Sequence, residues 1–472
     1  MITFNNTKTL LELVKNIGKE FENNVFLRYE RDDTIFEKGY GTFSMDTMSV
    51  AVYIEEQNKK AGHKIHAAVL GKCSYEYLTV LLGVPCGGGV SIPMDVKLTA
   101  QKMAENLKKA DTDILFYDYS FSSQADELRE LCPFIKRFIC LQTRKNSRNV
   151  PIMHKVFRGE TVKEKIKPDM CAMIIFTSGT TGHGKGVMLS HANLIDNMFC
   201  TDDAKEVCLN VLPIHHIFCI SSDVLLALRY GSTLCICDDM SKILYYIKLF
   251  QPTVIRVVPM IAKMFVNRIA ILRKKNPERS IVEIKEEVLG KRLNRIVSGG
   301  GYLSETLSDA LLNLGIVTGQ GYGMSECSPK ISVPDYTRRD KMASVGHLVT
   351  GCHVRIVDGE IQVKSPSVMM GYYNDEELTK EAITEDGWLC TGDLGYVDDE
   401  DFLYLNGRKK NLIILSNGEN VSPEMIENYF DEDRLVQDII VYGKDDIIAA
   451  EIYPNYEYAQ VNGITDIETA IN

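Results

Sequence analysis

No two cysteines of this chain stand at C-x-x-C spacing, and the thirteen present are an odd number scattered along its length. That pattern excludes a disulfide framework and offers no zinc-ligand set, so a reducing compartment fits. The single C-x-C, Cys235 and Cys237, lies in the apolar run TLCIC and reads as strand packing. Long apolar runs are missing too, so no membrane span is expected. The N-terminal stretch MITFNNTKTLLELVKNIGKEF carries charge at every turn where a secretory leader needs an apolar core. Net positive charge is also lacking: at −11, any hold on nucleic acid would need a local basic patch against the mean field. The densest basic runs are Arg273-Lys274-Lys275 and Arg408-Lys409-Lys410. The first sits among mixed charges that read as a solvated helical face, so no nucleic-acid partner is expected. Internal repeats and low-complexity linkers are absent. A soluble, cytoplasmic protein is the expectation.

What is present is a globular composition, with 45% hydrophobic and 25% charged residues. A chain of 472 residues exceeds one ordinary core, so two or more lobes are expected. The first half alternates two hydrophobic periods. TMSVAVYIEEQNKKAG reads as helix, KIHAAVL as strand, YEYLTVLLGVPCGGG as helix running into glycines, GVSIP as strand, KLTAQKMAENLKKAD as helix and DILFYD as strand. The rhythm returns in DVLLALRYG, STLCIC, SKILYYIKLF, TVIRVVP and MIAKMFVNRIAIL. Strands separated by helix-length segments imply βαβ units in mostly parallel sheets with helices on their faces. Past Ser344 the texture becomes β-rich and turn-rich, as in a small β lobe. A helix, PEMIENYF, then begins at Pro423, and a strand, DIIVYG, follows.

The segment from Ile175, IFTSGTTGHGKGVMLSH, is dense in Ser, Thr and Gly and ends its glycine run at Lys185. A Walker A loop is one reading, since G-T-T-G-H-G-K satisfies its first seven positions. The eighth is Gly186, where a Mg²⁺-binding hydroxyl belongs, and a P-loop must open a helix. CAMIIF before the loop and GVMLSH after it both read as strands, which is the wrong context. A nucleophile elbow fails as well. No G-x-S-x-G occurs, and Gly323-Met324-Ser325-Glu326-Cys327 lacks the second glycine. The third reading is a hydroxyl-rich strap over the β- and γ-phosphates of a nucleotide. Its glycines let backbone N–H groups approach, and Lys185 adds charge. Composition alone leaves a plain surface hairpin open.

TSGTTGHGKGVMLSH closely resembles the phosphate-binding signature of adenylate-forming enzymes, the family of acyl-CoA synthetases, luciferases and peptide-synthetase adenylation domains. Further motifs follow in the family's order, so the resemblance spans essentially the whole chain, closest in appearance to fatty acyl-CoA synthetases. It implies nucleotide contacts from Thr177, Ser178, Gly179, Thr180, Thr181, Gly182 and Lys185, with Gly184 standing where proline is usual. LPIHHIF is similar to the next motif, with His216 walling the carboxylate site and His215 its non-functional neighbour. SGGGYLSETL resembles the loop that edges the adenine, implicating Gly300, Gly301 and Tyr302, although alanine and proline commonly stand at the last two. QGYGMSECS resembles the central motif, implicating Gln320, Gly321 and Gly323 in nucleotide binding. There Tyr322 implies a flat face for adenine, Ser325 a hydroxyl for the α-phosphate and Glu326 a carboxylate for Mg²⁺. Asp393 of TGD is implied as the ribose clamp, Arg408 of GRKKNLI as a second ribose contact, and Lys410 as the hinge. CGGGVSIPMD resembles a segment near the acyl and coenzyme side.

The resemblance implies an α/β fold. A large N-terminal lobe of βαβ sheets plus a small β lobe forms an adenylation domain over 1–407. A small, truncated α+β mobile domain covers 408–472. It implies two steps: a carboxylate and ATP give an acyl-adenylate and pyrophosphate, then the thiol of coenzyme A displaces AMP. Lys185, His216, Ser325 and Glu326 carry the chemistry, with ATP, Mg²⁺ and coenzyme A as cofactors or co-substrates. After Arg408 the chain reaches residue 472 without the family's late P-x-x-x-x-G-K motif. Loss of one positioned cation costs on the order of 10²–10³ in rate, so slow adenylation is expected. The stretch after TVIRVVP, which begins with MIAKMFVNRIAIL, looks similar in its length and VP start to the fatty acyl-CoA synthetase branch, which implies a fatty acid, with aryl and short-chain acids open. Transfer to a phosphopantetheinyl carrier protein, and a non-catalytic nucleotide- or acyl-binding member of the fold, are the alternatives.

Overall fold

The alternation of strand- and helix-length segments resolves, in a computed structural model, into sheets flanked by helices. The structure describes residues 6–141, 161–177, 184–201, 204–416, 420–430, 433–444 and 447–471. The chain divides into two units. One comprises Met1–Arg256, Gly323–Lys330 and Ser365–Glu385; the other comprises Val257–Tyr322, Ile331–Lys364 and Asp386–Asn472. Each is built from segments distant in sequence, so this partition falls elsewhere than the expected division at residue 408.

The first unit holds a seven-stranded sheet in the order Gly371–Tyr372, Lys185–Ser190, Cys171–Thr177, Val90–Pro93, His66–Leu70, Ile114–Tyr117, Arg137–Cys140. From Cys171–Thr177 onward the neighbours run parallel. The first three strands pair antiparallel. The sheet is therefore mixed rather than wholly parallel, because Lys185–Ser190 returns alongside Cys171–Thr177 in the opposite sense. Helices fill the crossovers where the sequence places them. Ser74 caps Tyr75–Cys86 by accepting from the Tyr77 amide at 3.1 Å. Thr99 caps Ala100–Lys109 in the same way. The core beneath is aliphatic, with Leu70, Ile92, Met103, Leu107, Leu115 and Ile174 inaccessible to solvent. At about 25 cal/mol per Å² of buried apolar surface, such clusters dominate the unit's stability.

A second sheet of this unit runs Val254–Val257, Val207–Asn210, Thr233–Ile236, Val25–Arg31, Thr34–Gly39. All pairs are parallel except the terminal hairpin. Cys235 is fully buried in Thr233–Ile236, as the strand-packing reading of TLCIC requires.

In the second unit, Arg295–Ser298 and Val317–Gln320 pair in parallel with helix Glu305–Asn313 between them, a single βαβ unit. The β-rich segment past Ser344 forms a four-stranded antiparallel sheet of His353–Val357, Glu360–Lys364, Leu389–Val397 and Leu403–Arg408. After it come helix Pro423–Phe430 and the hairpin Val436–Lys444/Ile447–Pro454. Ile413, Val436, Ile439 and Val441 give these last elements a small core of their own. Among the described residues no helix is long and apolar enough to cross a membrane.

Candidate active site

Thr177 ends one hairpin strand and Lys185 begins the next, directly opposite each other in register. The calls on Ser178, Gly179, Thr180, Thr181 and Gly182 lie outside the described residues. The strand Gly371–Tyr372 joins the other edge of Lys185–Ser190, with Tyr372 opposite Val187. That register brings the Tyr372 ring beneath Lys185, whose Nζ lies 5.3 Å from the ring centroid, within cation–π range. The Tyr372 hydroxyl donates to Glu326 Oε1 at 2.8 Å. Burial, then the Glu326 charge, pushes the Tyr372 phenol far above its usual range, so it stays a donor.

Glu326 is buried on the short turn Ser325–Cys327. The turn is clamped by its own unit. The Met369 amide donates to the Glu326 carbonyl at 2.8 Å. Asn197 Nδ2 donates to the carbonyls of Cys327 and Lys330, each at 3.1 Å. Gly323 admits no side chain, since a Cβ there would lie 2.1 Å from the Pro329 carbonyl oxygen. Ser325 is half-buried at the head of the turn. Oε2 of Glu326 has no hydrogen-bond partner among the described residues, and no cluster of three ligating side chains is found there. One such carboxylate suits magnesium, which keeps several waters and takes its other ligands from phosphate oxygens.

The His motif lies in the same unit. His215 is buried with Nε2 3.6 Å from Asp95 Oδ1, and its ring stands 4.2 Å from that of exposed His216. Burial, then the neighbouring imidazole, lowers His215 to about 4. Neighbouring groups desolvate the His216 imidazole and lower it too, although the residue as a whole is exposed, so both favour the neutral form. The chain continues into a π-helical stretch, Ile220–Leu225, of the kind that often marks functional sites.

In the second unit, Tyr322 OH donates to Asp393 Oδ2 at 2.6 Å, and Arg408 Nε lies 2.9 Å from Oδ1. Asp393 and Arg408 face each other across adjacent strands, which fixes the pair. Burial raises the Asp393 carboxyl, while the Tyr322 hydrogen bond and the Arg408 charge pull it back down. Gly300, with φ +75°, and Gly301 are exposed, and Tyr302 is half-buried. Gln320 is buried and its amide is engaged. Oε1 accepts from Leu303 N–H at 2.9 Å, and Nε2 donates to the Ser344 carbonyl at 3.2 Å. Gln320 thus braces the Gly300–Tyr302 loop. The Gly321 amide donates to the Ser298 carbonyl at 3.1 Å. Lys410 is exposed in the turn Lys409–Asn411.

A model of the family described as "AMP-binding enzyme" matches residues 18–373. The chain belongs to the AMP-binding enzyme family. Adenylate-forming CoA ligases of this family use ATP, Mg²⁺ and coenzyme A. Among its relatives, 4-coumarate–CoA ligase 2 of Oryza sativa subsp. japonica is 32% identical over 62% of this chain and 54% of that protein, about half its length. The 2-succinylbenzoate–CoA ligase of Bacillus cytotoxicus is 30% identical over 82% of this chain and 76% of the relative. The structure of O-succinylbenzoate coenzyme A synthetase from Bacillus subtilis in complex with AMP superposes with a TM-score of 0.76. It is 23% identical, over 94% of this chain and 88% of that one, a likeness of fold.

Against this AMP-binding frame, sequence reasoning passed over Tyr372. It sits in MMGYYND, forty-six residues past Glu326, and nothing in that string announces a contact with Lys185 or Glu326. Asp95 was quoted within CGGGVSIPMD but not connected to the histidines. Its place at the end of a parallel strand, where α/β sheets collect ligand-binding side chains, was the available signal.

Proposed function

We propose that the chain activates a carboxylic acid with ATP to an acyl-adenylate, releasing pyrophosphate, and passes the acyl group to the thiol of coenzyme A. The observation that carries this reading is the Lys185–Tyr372–Glu326 constellation within the family-matched segment, an ammonium over the ring and a carboxylate on the hydroxyl of one buried phenol.

The difficulty of the first step is that a carboxylate must approach a polyphosphate. Lys185 offsets that repulsion at the β- and γ-phosphates. Magnesium, when bound at Glu326, supplies Lewis-acid charge neutralisation of the phosphates. Ser325 donates its hydroxyl to the α-phosphate. Neutral His216 walls the acid without adding a charge that would hold it back. Tyr322 offers its ring to adenine, with the Gly300–Tyr302 loop at its edge; Asp393 and Arg408 take the ribose hydroxyls. Lys410 is the hinge about which the following elements turn between the two steps.

For the acid itself, the names of the relatives favour an aromatic carboxylate, and the fatty acid expected from the sequence is the competing arm. A panel of acyl- and aroyl-sulfamoyl adenosines, read by thermal shift with GTP as control, tests both. Binding adds RT ln(1 + [L]/Kd) of stability and needs no turnover. A shift confined to aroyl members, with thioester formation from the matching acid, supports the reading. No shift with any analogue, and no acid-dependent ATP–pyrophosphate exchange, sinks it.

A further inference from the structure

We propose that Tyr372 is a positioning residue that sets both charge-handling groups of the nucleotide site, Glu326 through its hydroxyl and Lys185 through its ring. This rests on the nucleotide reading above and deepens it, by giving Tyr372 a role of its own in setting the two charges. The geometry is specific. The hydroxyl has one proton and gives it to Glu326 Oε1 at 2.8 Å, which leaves Oε2 as the oxygen open to a cation. The ring face lies 5.3 Å from Lys185 Nζ. The Tyr372 backbone is held on two sides. It pairs with Val187, two residues along the strand from Lys185, and its amide donates to Thr379 Oγ1 at 2.9 Å. With Tyr372 only 6% exposed, the ring has nowhere to turn, so its two contacts fix the spacing of a cationic and an anionic group. Preset charge placement is worth most where water is excluded, because no reorganisation is then needed on binding.

The neighbouring residue supplies an internal control. Tyr373 also has its hydroxyl on a carboxylate, Asp111 Oδ2 at 3.0 Å, but on a residue with no part in the proposed site.

The test is equilibrium binding of α,β-methylene-ATP to the full chain, followed by thermal shift while free Mg²⁺ is titrated, so that no turnover is needed. Tyr372→Phe keeps the ring and removes the hydroxyl. It is expected to raise the Mg²⁺ midpoint about tenfold or more, the loss of one hydrogen bond to a charged group. Tyr373→Phe is expected to leave the midpoint unchanged. In a Glu326→Gln background, Tyr372→Phe is expected to add nothing, because the hydroxyl acts through that carboxylate. Tyr372→Leu, which also removes the ring, is expected to weaken nucleotide binding at saturating Mg²⁺ as well, with Lys185→Met abolishing that extra loss. A Tyr372→Phe midpoint within twofold of wild type, or full additivity with Glu326→Gln, overturns the inference while the nucleotide site stands. A wild-type chain with no Mg²⁺-dependent shift overturns the nucleotide reading and this inference with it.

Discussion

The hydroxyl of Tyr322 lies 2.6 Å from Asp393 Oδ2, while Arg408 Nε lies 2.9 Å from Oδ1, so both carboxylate oxygens are bonded before any sugar arrives. Under the proposed reading, a ribose diol must share these oxygens rather than find them bare. Tyr322 therefore does two jobs under the proposed reading, offering a face to adenine and aiming the ribose acceptor. Tyr322→Phe keeps the face and loses the aim. A hydrogen bond to a charged group contributes about 1.5–3 kcal/mol at most, part of which the ribose recovers, so ATP affinity is expected to fall roughly five- to tenfold. Burial already raises the Asp393 carboxyl, and losing the Tyr322 donor raises it further. The acid limb of ATP binding in Tyr322→Phe should then begin at higher pH than in wild type. Calorimetric titrations across pH 4–7 measure both; unchanged affinity and an unshifted acid limb would count against the coupling.

The Gly300–Tyr302 loop separates two adjacent glycines by backbone geometry. Gly300 holds φ +75°, a region that disfavours any side chain, whereas Gly301 does not, and a Cβ at 301 would meet Pro259 at an ordinary 3.4 Å. Gly300→Ala is expected to destabilise by about 1 kcal/mol or more. Gly301→Ala should be neutral or stabilise by a few tenths up to about 1 kcal/mol through the unfolded state. Urea melts of the two variants decide it. Equal losses in both would contradict the assignment.

His191 gives the fold a titratable weak point. It is fully buried, its Nδ1 accepts from the Leu10 amide at 3.2 Å, and its Nε2 has no partner among the described residues. Burial lowers its pKa to about 4. An unfolded histidine titrates near about 6.5, so the folded value is depressed and the neutral form is the one the fold accepts. The contribution is fully present above about pH 6.5 and is lost as pH falls towards about 4, at up to about 1.4 kcal/mol per pH unit. His191→Asn retains an acceptor for Leu10 and cannot titrate. Chemical denaturation at pH 7.5, 6 and 5 should show the wild type losing stability faster than this variant. Parallel slopes would refute the assignment.

Much of the architecture was legible because periodicity reports burial directly. KIHAAVL and DILFYD became neighbouring parallel strands, and YEYLTVLLGVPC became an almost wholly buried helix. The strand–loop–strand reading of the glycine-rich segment also held, and it is what makes the sheet mixed at that edge. The candidate site was legible wherever one motif holds both the residue and its neighbours, as in the Ser325–Glu326 turn. Contacts made by register across distant segments were not. Tyr372 meets Lys185 only because Gly371–Tyr372 adds to an edge strand, and Gln320 braces a loop seventeen residues upstream through its side-chain amide. A two-residue strand has no period to read, and nothing in a nucleotide motif marks which of its side chains is committed to a neighbouring loop.

Gly184, where the family commonly has proline, is the departure in the phosphate signature that the structure explains. A Cβ at 184 would lie 2.8 Å from Asn106 Oδ1 and 3.1 Å from Phe176 Cδ1, so the position is crowded by a side chain of helix Ala100–Lys109. Asn106 is buried and cannot simply swing into solvent. The two positions should therefore be coupled. Gly184→Ala alone is expected to destabilise, since the neighbour must give by several tenths of an ångström in a packed region. In an Asn106→Ala background the same substitution should cost less, with an interaction energy of about 0.5–1.5 kcal/mol in a double-mutant cycle. Stability from urea unfolding of the four proteins measures the coupling. Additive losses would mean that Asn106 does not limit what position 184 accepts, and the glycine would then have to be explained by the loop's own conformation.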